Sequence, residues 1–414
     1  MAYDVPRIRS GFPSLASGWA HFDGPGGTQT PTVVGEAMAS MLSGPLSNRG
    51  STSESEIRAD RAVHEFRAAM GDLLNVQPAG IVHGRSATQL AYDFSRHLAK
   101  DWGPGDEVVV TRLDHDANIR PWVQAAERVG ALVRWADFDP ETGELPVEAV
   151  TGLLTDRTRL VAVTAASNLI GTIPDVAGIA AAAHDAGALV YADGVHSAAH
   201  ELPDLASLGA DFFSCSPYKF LGPHCGVLAA RPDLLESIAP DKLLPSTNVV
   251  PERFEFGTLP YEQLAGVTAA IEFIAGFVAP SSTGIASIDA EQSDAAGSRR
   301  ARLTRSYRAL HAHERRLLTR LEAGIAELPG VTVHSRASRR TPTLLLTFAG
   351  HEASAVSAKL AEAKVLVPSS HFYALEASRR LGLGDVGGLR VGLAPYTDDD
   401  DVDRLLAGLA GALA

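Results

Sequence analysis

Lys219 lies in Ser216-Pro217-Tyr218-Lys219-Phe220-Leu221-Gly222-Pro223, twenty-six positions after Asp193 in Tyr191-Ala192-Asp193-Gly194-Val195-His196. Each motif follows an apolar run of strand length. A lysine amine can condense with an aldehyde as a Schiff base. A carboxylate can hold a proton on a heteroaromatic nitrogen so that the ring accepts electrons. A strand ending in Asp, followed by a strand that delivers Ser-x-x-Lys, therefore points to a pyridoxal 5'-phosphate (PLP) site and to carbanion chemistry at an amino acid's Cα. Alone, Lys219 would read as a surface lysine after a strand. Its distance from Asp193 and Ser216 is what argues otherwise.

The elements that must position these groups are legible as alternating patterns. Between roughly residues 60 and 275, short apolar runs alternate with helical stretches: Gly80-Ile-Val-His, Glu107-Val-Val-Val-Thr, Ala131-Leu-Val-Arg-Trp, Arg159-Leu-Val-Ala-Val, Ala188-Leu-Val-Tyr-Ala, Asp211-Phe-Phe-Ser and Gly226-Val-Leu-Ala. Apolar strands separated by helices predict an α/β large domain with a mostly parallel seven-stranded sheet covered on both faces. Ligands in such sheets bind beyond the carboxyl ends of the strands, where the polar clusters of this chain fall. Gly178 to Gly187 reads as a crossover helix ending at a glycine. The expected division is an N-terminal arm over 1–60, a PLP-binding domain over 61–278 and a smaller α+β domain over 279–414. A Ser- and Asp-rich connecting segment opens the last of these. The acidic run Asp398 to Asp401 reads as a solvated helix N-terminus favoured by the helix dipole, in preference to a metal site.

Composition sets the outer bounds. A chain of 414 residues with 45% hydrophobic content can bury a large core. A net charge of −13 argues against nucleic-acid or anionic-membrane binding, which needs a basic face. The start Met1-Ala-Tyr-Asp-Val-Pro-Arg has no signal-peptide core and no run of eighteen apolar residues occurs, so the expected location is cytoplasmic. Cys215 and Cys225, in or beside strands, are expected as buried reduced thiols.

The Asp-Gly-x-His and Ser-Pro-Tyr-Lys-Phe-Leu-Gly-Pro pair, with Asp23-Gly-Pro-Gly-Gly upstream and Arg390-Val-Gly-Leu-Ala-Pro-Tyr downstream, resembles the class V aminotransferases. These are fold-type I PLP enzymes, and the cysteine desulfurase-like branch is the most similar. The resemblance implies that Asp193 pairs with the pyridine nitrogen and that Lys219 is the Schiff-base lysine and proton shuttle. Leu113-Asp114-His115-Asp116-Ala117-Asn118 is similar to the family's Glu-His-x-Ala segment, which implies that His115 stacks on the ring. Gly84-Arg85-Ser86-Ala87-Thr88 opens a helix and implies a phosphate cradle with Arg85 and Ser86, joined by Ser216. Ser167-Asn168-Leu169-Ile170-Gly171-Thr172 implies that Asn168 reaches the phenolic oxygen or the substrate carboxylate. His196 stands where desulfurases usually carry Gln and can serve the same oxygen. Phe254-Glu255-Phe256-Gly257-Thr258 implies a homodimer in which Thr258 reaches the partner's phosphate. Arg390 implies a bidentate clamp on the substrate α-carboxylate. His115, Asn168 and Arg390 also have plainer readings, as a helix-start histidine bonded locally, a turn asparagine and a surface ion pair.

A desulfurase needs a mobile cysteine in the small domain, and here Ser369-Ser370-His371-Phe372-Tyr373-Ala374-Leu375 carries Tyr373 near that place. A phenol cannot accept sulfur. Tyr373 or His371 could act instead as an acid or a substrate contact. A PLP enzyme acting on a small amino acid by C–S bond cleavage is therefore expected, without persulfide formation. An aminotransferase, an epimerase and a non-catalytic sulfur-trafficking relative are the alternatives.

Overall fold

The apolar runs become strands because both faces of the sheet are covered. The computed structural model describes residues 3–278 and 297–414. The division expected at residue 279, and the connecting segment up to 296, lie outside the described residues. Seven strands, β1 (Ile81–Gly84), β2 (Glu107–Thr111), β3 (Leu132–Ala136), β4 (Thr158–Thr164), β5 (Leu189–Asp193), β6 (Phe212–Cys215) and β7 (Gly226–Ala230), form one sheet. Their spatial order is β1-β7-β6-β5-β4-β2-β3, and β7 alone runs against its neighbours. Val108, Val109, Val110, Val161 and Val190 are fully buried, as strands covered on both faces require. The edge strand β3 instead alternates, and its Arg134 pairs with Glu107 at 2.5 Å, charging the exposed edge.

One face is covered by helices Glu54–Leu74, Val176–Asp185 and Tyr261–Ala275, which place Phe66, Ile179 and Ile271 against Val161 and Val163. The first starts at a Ser53/Glu56 capping box and ends at Asn75 in the left-handed region. It runs unbroken through the position expected to separate arm from large domain. On the other face helices Ala87–Leu98 and Arg120–Val129 pack Leu90, Phe94 and Trp122 against Tyr191, Phe212 and Leu228.

A second sheet, antiparallel, is formed by β8 (Val331–Val333), β9 (Thr343–Phe348), β10 (Ser369–Ser370) and β11 (Gly388–Gly392) in the order β10-β11-β9-β8. Helix Arg299–Ala326 joins the two cores: Leu303, Tyr307 and Leu310 pack with the large sheet's core, while Leu317, Leu321 and Ile325 pack with the small one's. Ala20–His21 pairs with Val365–Leu366, so the strand of the N-terminal arm belongs with the C-terminal unit. Helix Asp399–Leu413 begins at a capping box between Asp398 and Asp401, and Asp399 pairs with Arg316 at 2.7 Å and Arg320 at 2.5 Å. The acidic run therefore serves helix initiation and surface pairing. No described helix is long and apolar enough to cross a membrane.

The carboxyl ends of β1, β2, β4, β5 and β6 open on one side, and each leads directly into one of the polar motifs. Helix Ala87–Leu98 sits so close to β7 that a Cβ on Gly226 would overlap the Ser86 carbonyl carbon and the Ala87 nitrogen. Gly226→Ala is expected to push this helix off the sheet and destabilise the fold by about 1–3 kcal/mol, the usual cost of overpacking. Thermal melting of the variant beside the native protein checks this.

Candidate active site

A cavity of about 630 Å³ lies across those strand ends, lined by Lys219, Asp193, His115, His196, Ser216, Asn168, Arg390 and Tyr373. The topology thus gathers eight of the expected residues from segments nearly three hundred positions apart. Asp193 ends β5, where Val195 N donates to its Oδ1 at 2.8 Å. Burial pushes its carboxyl up to about 6, against that hydrogen bond and the Lys219 charge. Lys219 is held in a short turn after β6, its Nζ donating to the Gly26 carbonyl at 2.8 Å and to the Pro25 carbonyl. Burial, and then the charge of Arg390, bring its amine down to about 7, so a substantial fraction is a free base near neutrality.

His115 accepts a hydrogen bond from Ala117 N on Nδ1 at 3.0 Å, which leaves the proton on Nε2. Burial lowers it to about 4, so the ring is neutral. Behind it Asp114 is fully enclosed, bonded to the Thr111 hydroxyl and accepting from Asn118 Nδ2 at 2.7 Å. Trp122 Nε1 then donates to Asn118 Oδ1 at 3.1 Å. Burial raises the Asp114 carboxyl to about 8. Asp114 therefore supports the His115 turn as a neutral acid.

Arg390, only 2% exposed, comes from β11 and crosses to the large sheet. Its Nη1 donates to the Asn168 carbonyl at 3.1 Å, its Nη2 to Asp23 at 2.9 Å, and Phe372 lies 3.7 Å from its guanidinium carbon. The Asn168 amide donates to the Phe372 carbonyl at 3.0 Å, and Asp116 N donates to the Tyr373 carbonyl at 2.8 Å. These bonds hold Phe372 and Tyr373 in left-handed backbone, φ 51° and 59°. Tyr373 is 70% exposed and its ring stacks beside His115 with centroids 5.6 Å apart.

Three expected contacts stand outside this lining. Arg85 is exposed. Ser86 caps helix Ala87–Leu98 by accepting from Gln89 N at 3.1 Å, so the lining at this helix start comes from Ala87 and Thr88 instead. The start of this helix offers its backbone N–H groups to a phosphate, and the Ser86 hydroxyl, which accepts from Gln89 N, keeps its own O–H as a donor. Thr258 is exposed and does not line the cavity of its own chain. The segment before it is anchored by Arg67, which pairs with Glu252 at 2.6 Å and Glu255 at 2.7 Å. His196 does line the cavity, but its Nε2 is engaged with Thr341 Oγ1 at 2.9 Å and Thr343 Oγ1 at 3.0 Å. Only Nδ1 is then free for the expected oxygen contact. Asp23, the acid partner of Arg390, was not anticipated from sequence. Its placement before Gly-Pro-Gly-Gly marked a turn and gave no sign of a partner 367 residues away.

PLP fits this arrangement. Arg390 Nε and Asn168 Oδ1 are buried without hydrogen-bond partners, and both residues line the cavity. Buried polar groups in native proteins are normally satisfied, so these lack a ligand's polar atoms. A protonated ring nitrogen suits the buried Asp193 carboxylate, an aldehyde suits the Lys219 amine, and a phosphate suits the start of helix Ala87–Leu98.

Comparison with known proteins agrees. The aminotransferase class-V family profile matches residues 20–306 and 302–405. A protein of Mycobacterium tuberculosis (strain CDC 1551 / Oshkosh), itself uncharacterized, is 34% identical over 415 residues, covering 99% of both chains. A probable cysteine desulfurase of Mycolicibacterium paratuberculosis (strain ATCC BAA-968 / K-10) is 31% identical over 98% of this chain and 57% of its own length. Among solved structures, the cysteine desulfurase CsdA (S-sulfonic acid) from Escherichia coli superposes with a TM-score of 0.85 at 26% identity, covering 100% of this chain and 99% of that one.

Two expectations check the site. Lys219→Ala protein is expected to lose the absorption band at the violet edge of the visible that the native protein develops with PLP, measured by spectrophotometric titration. Asp114 keeps its proton in the fold up to about pH 8, whereas its ordinary value is 3.8. Its contribution to stability is full below the ordinary value and is lost as pH rises through this window. Asp114→Asn has no proton to lose, so its melting temperature relative to the native protein is expected to rise between about pH 4 and 8.

Proposed function

Because the chain belongs to the class-V aminotransferase family, with cysteine desulfurases among its relatives and PLP as its cofactor, we propose that it is a C–S lyase. On this reading it acts on cysteine-type amino acids by elimination and forms no persulfide. The observation that carries this is the identity of the group at the cavity mouth. Tyr373 occupies the loop between β10 and β11 where a sulfur-accepting cysteine would be needed, and both cysteines are buried, with thiols pushed far up by desolvation. Neither thiol lines the cavity.

PLP supplies the electron sink that makes removal of a Cα proton accessible. The remaining work falls to the chain's own side chains. Arg390 binds the substrate α-carboxylate through its unpaired Nε and the guanidinium edge nearest Asn168, fixing how the Cα–H bond is aimed. Lys219, with its lowered amine pKa, accepts that proton. His115 provides a neutral flat face to the ring, and Tyr373 beside it donates a proton to the departing sulfur. The C–S bond breaks as the sulfur leaves. Hydrolysis of the remaining fragment gives pyruvate and ammonia alongside the thiol or sulfide. Tyr92, Phe372 and Tyr373 wall the mouth and favour a cysteine whose sulfur carries a further substituent.

The working unit on this reading is a homodimer. Leu243, Leu244, Val249 and Phe256 are exposed around the segment that leads to Thr258, and Leu244 is 97% exposed. A second copy covering them would carry Thr258 to its partner's phosphate site.

Incubation with L-cysteine and cysteine S-conjugates is expected to yield pyruvate and a free sulfur product, with no persulfide on the protein by mass spectrometry. A pyridoxamine form with a keto acid, or a D-amino acid, would instead identify a transaminase or an epimerase. Tyr373→Phe is expected to lower kcat by about 10²-fold, within the usual range for losing a general acid, with little change in KM. Arg390→Lys is expected to lower kcat/KM at least about tenfold, because an ammonium cannot form the forked pair. Steady-state kinetics on the best substrate measures both.

A further inference from the structure

A buried histidine–carboxyl pair lies against a residue that lines the cavity. Glu314, on helix Arg299–Ala326, is 2% exposed, and His200 is 3% exposed. His200 Nδ1 meets both carboxylate oxygens of Glu314, at 3.0 and 3.1 Å. Neither residue lines the cavity. His200 packs edge-on against His196, with ring centroids 5.1 Å apart and planes at 70°, and His196 does line it. The other side of His196 is fixed by the hydroxyls of Thr341 and Thr343 at its Nε2.

The same helix is tied to this turn a second time. Tyr307 donates its hydroxyl to the Ala198 carbonyl at 2.7 Å, within the short helical turn that follows His196. Placing a carboxylate and an imidazole out of water is costly, and an apolar pair of similar volume would pack there at no such cost. The pair does not face solvent or the substrate path. What it touches is the ring beside Asp193.

We propose that Glu314 and His200 are positioning residues for His196, setting the plane in which that ring meets the phenolic oxygen of PLP. This rests on the reading of His196 as a cofactor contact. The Glu314 carboxylate holds the proton on His200 Nδ1 and locks that ring in place. The edge of His200 then fixes the plane of His196, and the Thr343 hydroxyl can donate to its Nε2 while that of Thr341 donates to Thr343 or to the Gly171 carbonyl. His196 Nδ1 is left with the proton, as a donor to the phenolic oxygen. Helix Arg299–Ala326, which spans both cores, thereby sets a hydrogen bond to the cofactor that it does not touch.

The test is a double-mutant cycle on the PLP-loaded protein, read by the position of the cofactor absorption band and by the dissociation constant for PLP. Glu314→Gln keeps shape and removes charge. It is expected to shift the band and to weaken PLP about threefold to tenfold, the worth of one hydrogen bond. In a His196→Ala background, which removes the ring, the same substitution is expected to change neither readout. His200→Gln, offered in case Glu314→Gln folds poorly, is expected to reproduce the shift, and Glu314→Asp to restore part of it. Equal effects of Glu314→Gln in both backgrounds would overturn the proposal, as would a lowered melting temperature with an unmoved band. If His196→Ala itself leaves band and affinity unchanged, the cofactor role of His196 fails and this proposal with it. Both readouts are independent of which bond the enzyme breaks.

Discussion

Arg390 is a guanidinium almost wholly removed from water, and the site is organised around keeping it charged and aimed. Burial pulls its pKa down, and the Asp23 carboxylate opposes that shift. The ion costs several kcal/mol to desolvate and must be repaid by well-made contacts. Those contacts come from three remote parts of the chain: Asp23 in the N-terminal arm, the Asn168 carbonyl after β4, and the Phe372 ring in the loop before β11. Removing any one leaves a buried charge short of partners. The arm, the large sheet and the small sheet are therefore locked together beside the cavity that holds Lys219.

The same cavity holds Lys219 and Asp193 at shifted values, and the directions matter more than the sizes. Desolvation disfavours the charged form of each, so the lysine drifts toward a free base and the carboxyl toward its acid. A cation on a ring nitrogen would return Asp193 to its ionised state, while an amine near neutrality is ready to take and return a proton. Opposed shifts of this kind in one cleft mark acid–base machinery more often than structural pairing. Asp114 extends the pattern one layer deeper, as a carboxyl kept neutral so that a buried network of Thr111, Asn118 and Trp122 can close around it.

Beside this acid–base machinery the cavity carries an aromatic loop. The loop from Ser369 to Leu375 bends through two consecutive residues in left-handed backbone, which non-glycine residues adopt at a cost. The Asn168 amide and the Asp116 N–H repay it through the carbonyls of Phe372 and Tyr373. The loop thus presents aromatic rings to the cavity, and a phenol offers protons where a thiol would offer sulfur affinity. The fold alone does not choose among the reactions open to it.

Much of this was legible in the chain itself. Buried strands need unbroken apolar runs, so all seven could be read, and the residues just past each parallel strand had to face a common edge. That put Lys219, Asp193, His115, Asn168 and Ser216 together, with Arg390 added by its motif. What sequence could not supply were pairings without local pattern: Asp23 with Arg390, Glu314 with His200, and the two threonines that take His196 Nε2. Nor did it show that the Ser86 hydroxyl also caps its own helix. Periodicity and motif spacing report which face a residue takes, because they follow from backbone geometry. Which side chains then meet across hundreds of positions depends on how two cores close on each other, and only the tertiary structure decided that.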